Sequence, residues 1–203
     1  MADEGTYPLP TELETERLRL RPIASADLDF YTGLHGSPDV VRYLGGDGTP
    51  HTPERTRKWL DVILERYANG RPAAYAIETR AGDLVGRSGL SYFEVETEPS
   101  TDDGVPLATW GIGRPPLDGP THRILELGYV IHPNAWGQGY APEAARRWMT
   151  YVLDEQQSPR ISSVIHPGNR SSERVAEKNG LTNTGQPIRM DDRDYVVWTR
   201  ERS

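Results

Sequence analysis

The chain has 203 residues with 30 acidic against 23 basic side chains and a formal net charge of −7 at neutral pH, a field that favours cationic partners over nucleic acid. It contains no cysteine, which excludes disulfides, thiolate metal sites and any mechanism that parks an acyl group on an enzyme thiol. A mean hydropathy of −0.67, no apolar run of the roughly 18 residues a membrane span needs and no leader-like N-terminus give the expectation of one cytoplasmic domain that touches no membrane.

Residues 1–12 are polar, include Pro8 and Pro10, and read as a flexible tail. Leu18 and Leu20 alternate with Arg17, Arg19 and Arg21 as in a half-buried strand. Ser25 is placed to cap a helix starting near Ala26, with Leu28, Phe30, Tyr31 and Leu34 as its apolar positions. A short segment from Pro38 ends at Gly45-Gly46. Thr52-Pro53-Glu54 then opens a helix whose Trp59, Leu60, Ile63, Leu64 and Tyr67 recur at helical spacing as far as Asn69-Gly70. Ala74 to Glu78 and Leu84 to Phe93 read as two strands joined by a turn at Ala81-Gly82-Asp83.

Residues 94–122 are rich in proline and glycine, lack periodicity and read as a long insertion loop. Glu94, Glu96, Glu98, Asp102 and Asp103 make it acidic, with Tyr92, Phe93 and Trp110 as apolar walls. That combination suits either a lure for a cationic ligand or a solvated insertion. Order resumes with a strand from Ile124 to Ile131, a helix from Pro142 to about Gln156, a strand from Ile161 to Ile165, a helix from Ser171 to Asn179 and a last strand from Asp194 to Thr199. The strand–helix–strand–helix order implies parallel pairing, whereas the tight turn at Gly82 implies an antiparallel hairpin, so the class is α/β with a mixed sheet.

The chemistry concentrates after residue 124. Trp136-Gly137-Gln138-Gly139-Tyr140-Ala141 joins a strand to a helix start. It reads either as a tight turn or as a cradle of oriented amides for a pyrophosphate. Val130-Ile131-His132-Pro133 and Val164-Ile165-His166-Pro167 end two strands alike and should border one cleft. The repeated prolines explain the shared pattern as strand termination, and no third ligand stands at metal-site spacing. Gly128 inside its strand marks a bulge, which would free an edge near Val130 and Ile131 for an extended, amide-bearing ligand, or marks simple packing under an aromatic.

Glu126 to Pro133, Trp136 to Ala144, Asn169 with Ser172, Arg174-Val175-Ala176-Glu177-Lys178 and Gly180 together resemble the GNAT superfamily of acetyl-CoA-dependent N-acetyltransferases. The resemblance is greatest to the branch holding the RimJ and RimL ribosomal-protein N-terminal acetyltransferases. It runs from Thr15–Arg21 to the last strand, with residues 94–122 and Trp136 as departures. It implies a GNAT fold: a single mixed, mostly antiparallel sheet flanked by helices, with splayed parallel strands forming the acetyl-CoA cleft.

It further implies that the amides of Trp136, Gly137, Gln138, Gly139, Tyr140 and Ala141 hold the pyrophosphate. Val130 and Ile131 then flank the pantetheine and thioester, with a strand amide near Val130 on the thioester oxygen, and Asn169 bonds the pantetheine arm. Ser172 falls where the family protonates the departing thiolate, or else only caps a helix. Arg170, Arg174 and Lys178 either meet the adenosine phosphate or are solvated. Glu126 stands where many members carry a glutamate base, directly or through water, or else sits on a solvated face or pairs with an arginine. The implied reaction is direct attack in a ternary complex, with acetyl-CoA as co-substrate and no metal. The acceptor is a primary amine, either a small cationic molecule or a protein N-terminus. No nucleic acid or membrane partner is expected, and a homodimer is compatible. The alternative is a non-catalytic acyl-CoA-binding or regulatory domain.

Overall fold

Leu18 and Leu20, wholly buried, anchor the first long strand of a nine-stranded sheet. The computed structural model describes residues 8–110 and 116–203. In chain order these form β1 (Leu13–Glu14), β2 (Leu18–Pro22), a 3-10 turn, α1 (Leu28–Gly36), α2 (Pro38–Val41), α3 (Pro53–Ala68), β3 (Ala74–Thr79) and β4 (Leu84–Glu96). There follow β5 (Ala108–Thr109), β6 (Thr121–Ile131), α4 (Tyr140–Met149), a π-helical continuation (Thr150–Glu155), β7 (Arg160–Ile165), α5 (Arg170–Lys178), β8 (Thr182–Met190) and β9 (Arg193–Glu201).

The strand order is β1-β2-β3-β4-β6-β7-β9-β8, with β5 on β4, and every pairing is antiparallel except β6 with β7. Trp148, Met149 and Val152 pack with Leu18, Leu127 and Ile161 on one face of the sheet. Tyr31, Leu34, Leu60 and Ile63 pack with Val130 on the other. A third cluster joins Phe93 and Val95 to Ile188, Tyr195 and Val197. Among the described residues no helix is long and apolar enough to cross a membrane.

Several expectations are corrected. Ser25 does not cap the first helix. The Asp27 carboxylate accepts the Ala24 amide at 2.8 Å and pairs with Arg21 at 2.8 Å, so the chain enters α1 through a 3-10 turn. Residues 8–12 are not loose, because the Tyr151 and Tyr75 hydroxyls donate to the carbonyls of Pro8 and Pro10; residues 1–7 of the expected tail lie outside the described residues. β8 escapes periodicity because it is an exposed edge strand through Thr182–Pro187, defined by pairing with β9 rather than by a buried face.

The insertion is shorter than 94–122. β4 and β6 continue as a ladder through Glu94↔Arg123, Val95↔His122 and Glu96↔Thr121. Glu96, 4% exposed, accepts the Leu107 amide at 2.8 Å and the Ser100 hydroxyl at 2.7 Å, which pins the loop from inside. Glu94 pairs with Arg123 at 2.5 Å and Asp103 with Arg189 at 2.9 Å. The acidic lure is thereby reduced to Glu98 and Asp102, the other carboxylates being used in the fold. Residues 111–115 of this segment lie outside the described residues.

Candidate active site at the β6–β7 fork

The parallel strands β6 and β7 share a single registered pair, Glu126↔Ser162, and then diverge. Gly128 does not cause the divergence by a bulge, since the β4–β6 register runs unbroken from Gly86↔Ile131 to Glu96↔Thr121. Side chains end the ladder instead. The Ser163 hydroxyl donates at 2.8 Å to the Leu127 carbonyl, a β6 acceptor that a continued ladder would use, and the Glu126 carboxylate lies where the Val164 amide lowers its pKa. Gly128 contributes room: a Cβ there would lie 3.4 Å from both Glu126 carboxylate oxygens, so the carboxylate lies along the strand over the glycine.

Backbone alternation decides which groups of β6 face the fork. His132 N–H donates to Val85 on the β4 side at 2.8 Å, and the Val130 carbonyl lies against Gly86. Val130 therefore spends its main-chain groups on β4, while Leu127, Tyr129 and Ile131 turn theirs toward β7. The groups near Val130 that face the fork are therefore those of Tyr129 and the N–H of Ile131. The Ile131 carbonyl is taken by the Trp136 indole N–H at 2.7 Å, which folds this 51% exposed side chain back over the strand end.

Glu126 sits at the point of divergence. The Ser91 hydroxyl donates to its carboxylate at 2.8 Å from the facing strand β4. Burial pushes its pKa up to about 7 against the lowering by the Ser91 hydroxyl, the Arg87 charge and the Val164 amide. The carboxylate thus titrates near neutrality. No ion pair joins Glu126 to an arginine among the described residues.

Gly137 and Gly139 adopt φ of +76° and +80°, the left-handed region that glycine enters without strain. Gly139 is the N-cap of α4, so Tyr140 and Ala141 already belong to its first turn, and the helix opens before Pro142. Pro142 is tolerated there because first-turn N–H groups have no intrahelical acceptor. The Trp136 amide is bonded to Pro133 O at 3.1 Å, which removes it from the expected cradle. The amides of Gly137, Gln138, Gly139, Tyr140 and Ala141 have no acceptor among the described residues. They form a nest at the positive end of a helix.

Arg17, which sequence reasoning placed only as a strand residue, holds this loop in shape. It donates to the Gln138 carbonyl at 2.9 Å, pairs with Glu143 at 2.5 Å and stacks over the Tyr140 ring at 5.1 Å. Thr15 adds a hydroxyl bond to Glu143 at 2.6 Å. No local pattern marks these partners, because they lie more than 120 residues apart.

Across the fork, Asn169 Oδ1 accepts the Ser172 amide at 3.1 Å and caps α5. Ser172 is therefore not the cap, and its hydroxyl has no partner among the described residues. The Tyr129 hydroxyl donates to the Ser172 carbonyl at 3.0 Å, tying the first turn of α5 to β6. His132 and His166 each use Nδ1 to accept the amide two residues on, at 3.3 and 3.0 Å, which stops the strand. Arg170 pairs with Glu173 at 2.6 Å.

The family model described as an acetyltransferase (GNAT) domain matches residues 17–182. The uncharacterized protein YkkB of Bacillus subtilis (strain 168) is 29% identical over 194 residues, covering 94% of this chain and 96% of its own. A crystal structure of an acetyltransferase from Agrobacterium tumefaciens str. C58 superposes with a TM-score of 0.68 at 26% identity, over 98% of this chain and 99% of that one. Mycobacterium smegmatis RimJ in complex with CoA-disulfide shares the fold with a TM-score of 0.64 at 17% identity, over 91% and 81% of the two chains. The family match across the strands and helix starts that frame the fork shows that the chain belongs to the GNAT acetyltransferase family and is an N-acetyltransferase.

Proposed function

We propose that this chain transfers the acetyl group of acetyl-CoA to a primary amine by direct attack, with both reactants held at the divergence of β6 and β7. The observation that carries the reading is the Glu126 carboxylate, bonded to Ser91 in the fork and pushed up to about 7 by burial. An amine has an unperturbed pKa of about 8 if an α-amine and about 10.4 if a lysine, so it must lose a proton before attack. A base near neutrality is matched to that task, directly or through one water.

The amides of Gly137 to Ala141 supply the donors and helix dipole that suit a pyrophosphate. The fork-facing groups of Tyr129 and Ile131 suit the amides of an extended pantetheine arm, which would pair with β6 as a strand does. Asn169 Nδ2 offers a further donor. Acetyl-CoA supplies the activated acyl group. An N–H of β6 in the fork donates to the thioester oxygen, where negative charge grows. As the N–C bond forms and the C–S bond breaks, Glu126 takes the amine proton and the Ser172 hydroxyl gives one to the departing sulfur, its own being replaced from solvent. The acceptor is a small amine or a protein N-terminus. A non-catalytic acyl-CoA-binding domain would have no use for a carboxylate held near neutrality at this point.

Thiol release from acetyl-CoA, screened over peptide and small-amine panels with mass detection of the product, tests the reading. Amine-dependent release is expected. Tight acetyl-CoA binding with no acetylated product from any panel would overturn it.

A further inference from the structure

Arg87 occupies the wall of the fork without a neutralising partner. It stands on β4 opposite Val130, four residues before Ser91, whose hydroxyl meets Glu126. Residues two and four apart on a strand share a face, so Arg87, Ser91 and Glu126 point to the same side, under α1 and α3. Its Nε donates to His35 Nε2 at 3.2 Å, and its guanidinium carbon lies 5.2 Å from the Trp59 ring centroid.

His35 orients this guanidinium without cancelling its charge. The imidazole is 1% exposed, and burial, then the Arg87 charge, holds its pKa down to about 2. It therefore stays neutral and accepts through Nε2. The other groups around the fork end of Arg87 behave alike. Burial keeps the Tyr31 phenol protonated, and His51, lowered to about 4 by burial and by Arg55 and Arg87, is neutral too. Glu126 is the nearby anion, and it acts on Arg87 through space without an ion pair among the described residues. By contrast Arg17, Arg19, Arg21, Arg123 and Arg189 each hold a carboxylate at 4.0 Å or less.

A half-buried guanidinium whose nearby anion, Glu126, acts only through space is costly to the fold, because desolvation is not repaid by an ion pair. With Nε tied to His35, the edge left over is the pair of Nη groups, whose parallel N–H bonds match the two oxygens of a carboxylate. The wall thus presents a base at one end and an unneutralised guanidinium at the other, the complement of an amine and a carboxylate on one small molecule.

We propose that Arg87 is an acceptor-binding residue and that the acceptor is an amino-acid-like amine, its carboxylate held by Arg87 while its amine faces Glu126. This rests on the acetyl-transfer reading above. It favours a zwitterion over a polyamine, whose second cation Arg87 repels.

The test compares amino acids of varied amine-to-carboxylate spacing with their own carboxamides, in wild type, Arg87→Gln and Arg87→Lys. Steady-state acetyl transfer is one readout. Calorimetric titration of the same probes onto protein saturated with CoA is the other, and it does not need turnover. Wild type should prefer at least one acid over its amide by about tenfold or more in kcat/KM and in Kd. Arg87→Gln should erase that preference mainly through KM, leaving acetyl-CoA affinity unchanged, while Arg87→Lys, a point charge without the fork, retains part of it. Acetyl transfer with no acid-over-amide preference in wild type, or with the preference surviving in Arg87→Gln, would overturn the proposal and leave the transfer reading standing. Acid preference in the titrations, lost in Arg87→Gln, with no amine ever acetylated, would uphold the carboxylate site and overturn the transfer reading.

Discussion

Replacing Glu126 with glutamine keeps the size of the side chain and removes the proton acceptor. With the carboxyl pushed up to about 7, wild-type kcat should rise with about unit slope below pH 7 and level off above it. In Glu126→Gln only amine already deprotonated can react, a fraction of about one-tenth at pH 7 for an α-amine and below about a thousandth for a lysine-like amine. Loss of a general base typically costs about 10²–10⁴ in rate. Turnover at pH 7 should therefore fall by about 10² or more, acetyl-CoA affinity should hold, and the deficit should narrow as pH approaches the amine pKa. Stability must move as well. The unfolded carboxyl titrates near about 4.3, below its folded value of about 7, so the folded chain binds more protons across that window. Wild-type stability consequently falls as pH rises from about 4 to 7, by up to about 3 kcal/mol. Glutamine has no charge to desolvate, so the stability of the variant relative to wild type should grow between pH 5 and pH 8 in denaturant unfolding. Wild-type turnover in Glu126→Gln at every pH, or a flat wild-type profile from pH 6 to 8, would refute the assignment of the base. Unfolding curves that stay parallel over that range would refute the buried carboxylate that underlies it.

Gly139→Val places a β-branched side chain at a φ of +80°, a strain of about 1–2 kcal/mol; the folded variant should lose acetyl-CoA affinity by calorimetry, and an unchanged Kd would remove the loop from the pyrophosphate site. Ser172→Ala should lower turnover by about 10²-fold or more with thermal stability intact, because Asn169 supplies the cap of α5; undiminished turnover would leave the departing sulfur to another donor. Glu96→Ala should destabilise the fold by about 1–3 kcal/mol, since it strands the Leu107 and Ser100 donors. Burial opposes ionisation of Glu96, but these donors outweigh it and hold the carboxyl below its usual value. Its contribution is thus present above the ordinary carboxylate pKa and lost as pH falls through the folded one; equal acid unfolding of the two proteins would contradict that account.

The pattern of the chain was enough for what depends on near neighbours. Alternation located β2, helical spacing located α3 and Thr52-Pro53 marked its start, because burial of one face and a local cap are near-neighbour properties, whereas Pro142 put the start of α4 two residues late. The motif from Glu126 to Ala141, with Asn169 and Ser172, likewise carried the family. Everything that turns those residues into a site depended on partners distant in sequence. Arg17 reaches the Gln138 carbonyl across 121 positions, and Ser91 meets Glu126 across 35. The main-chain direction of Val130 follows from its register with β4 rather than from its identity, so the fork-facing amides fall at Tyr129 and Ile131. β8 shows the same limit, since an edge strand with few buried side chains is defined by the hydrogen bonds of its neighbour. Arg87 shows it most directly. Sequence shows an arginine on a strand, but only the packing of α1 and α3 over β4 decides that its neighbour is a neutral, buried histidine and that its charge is left unpaired.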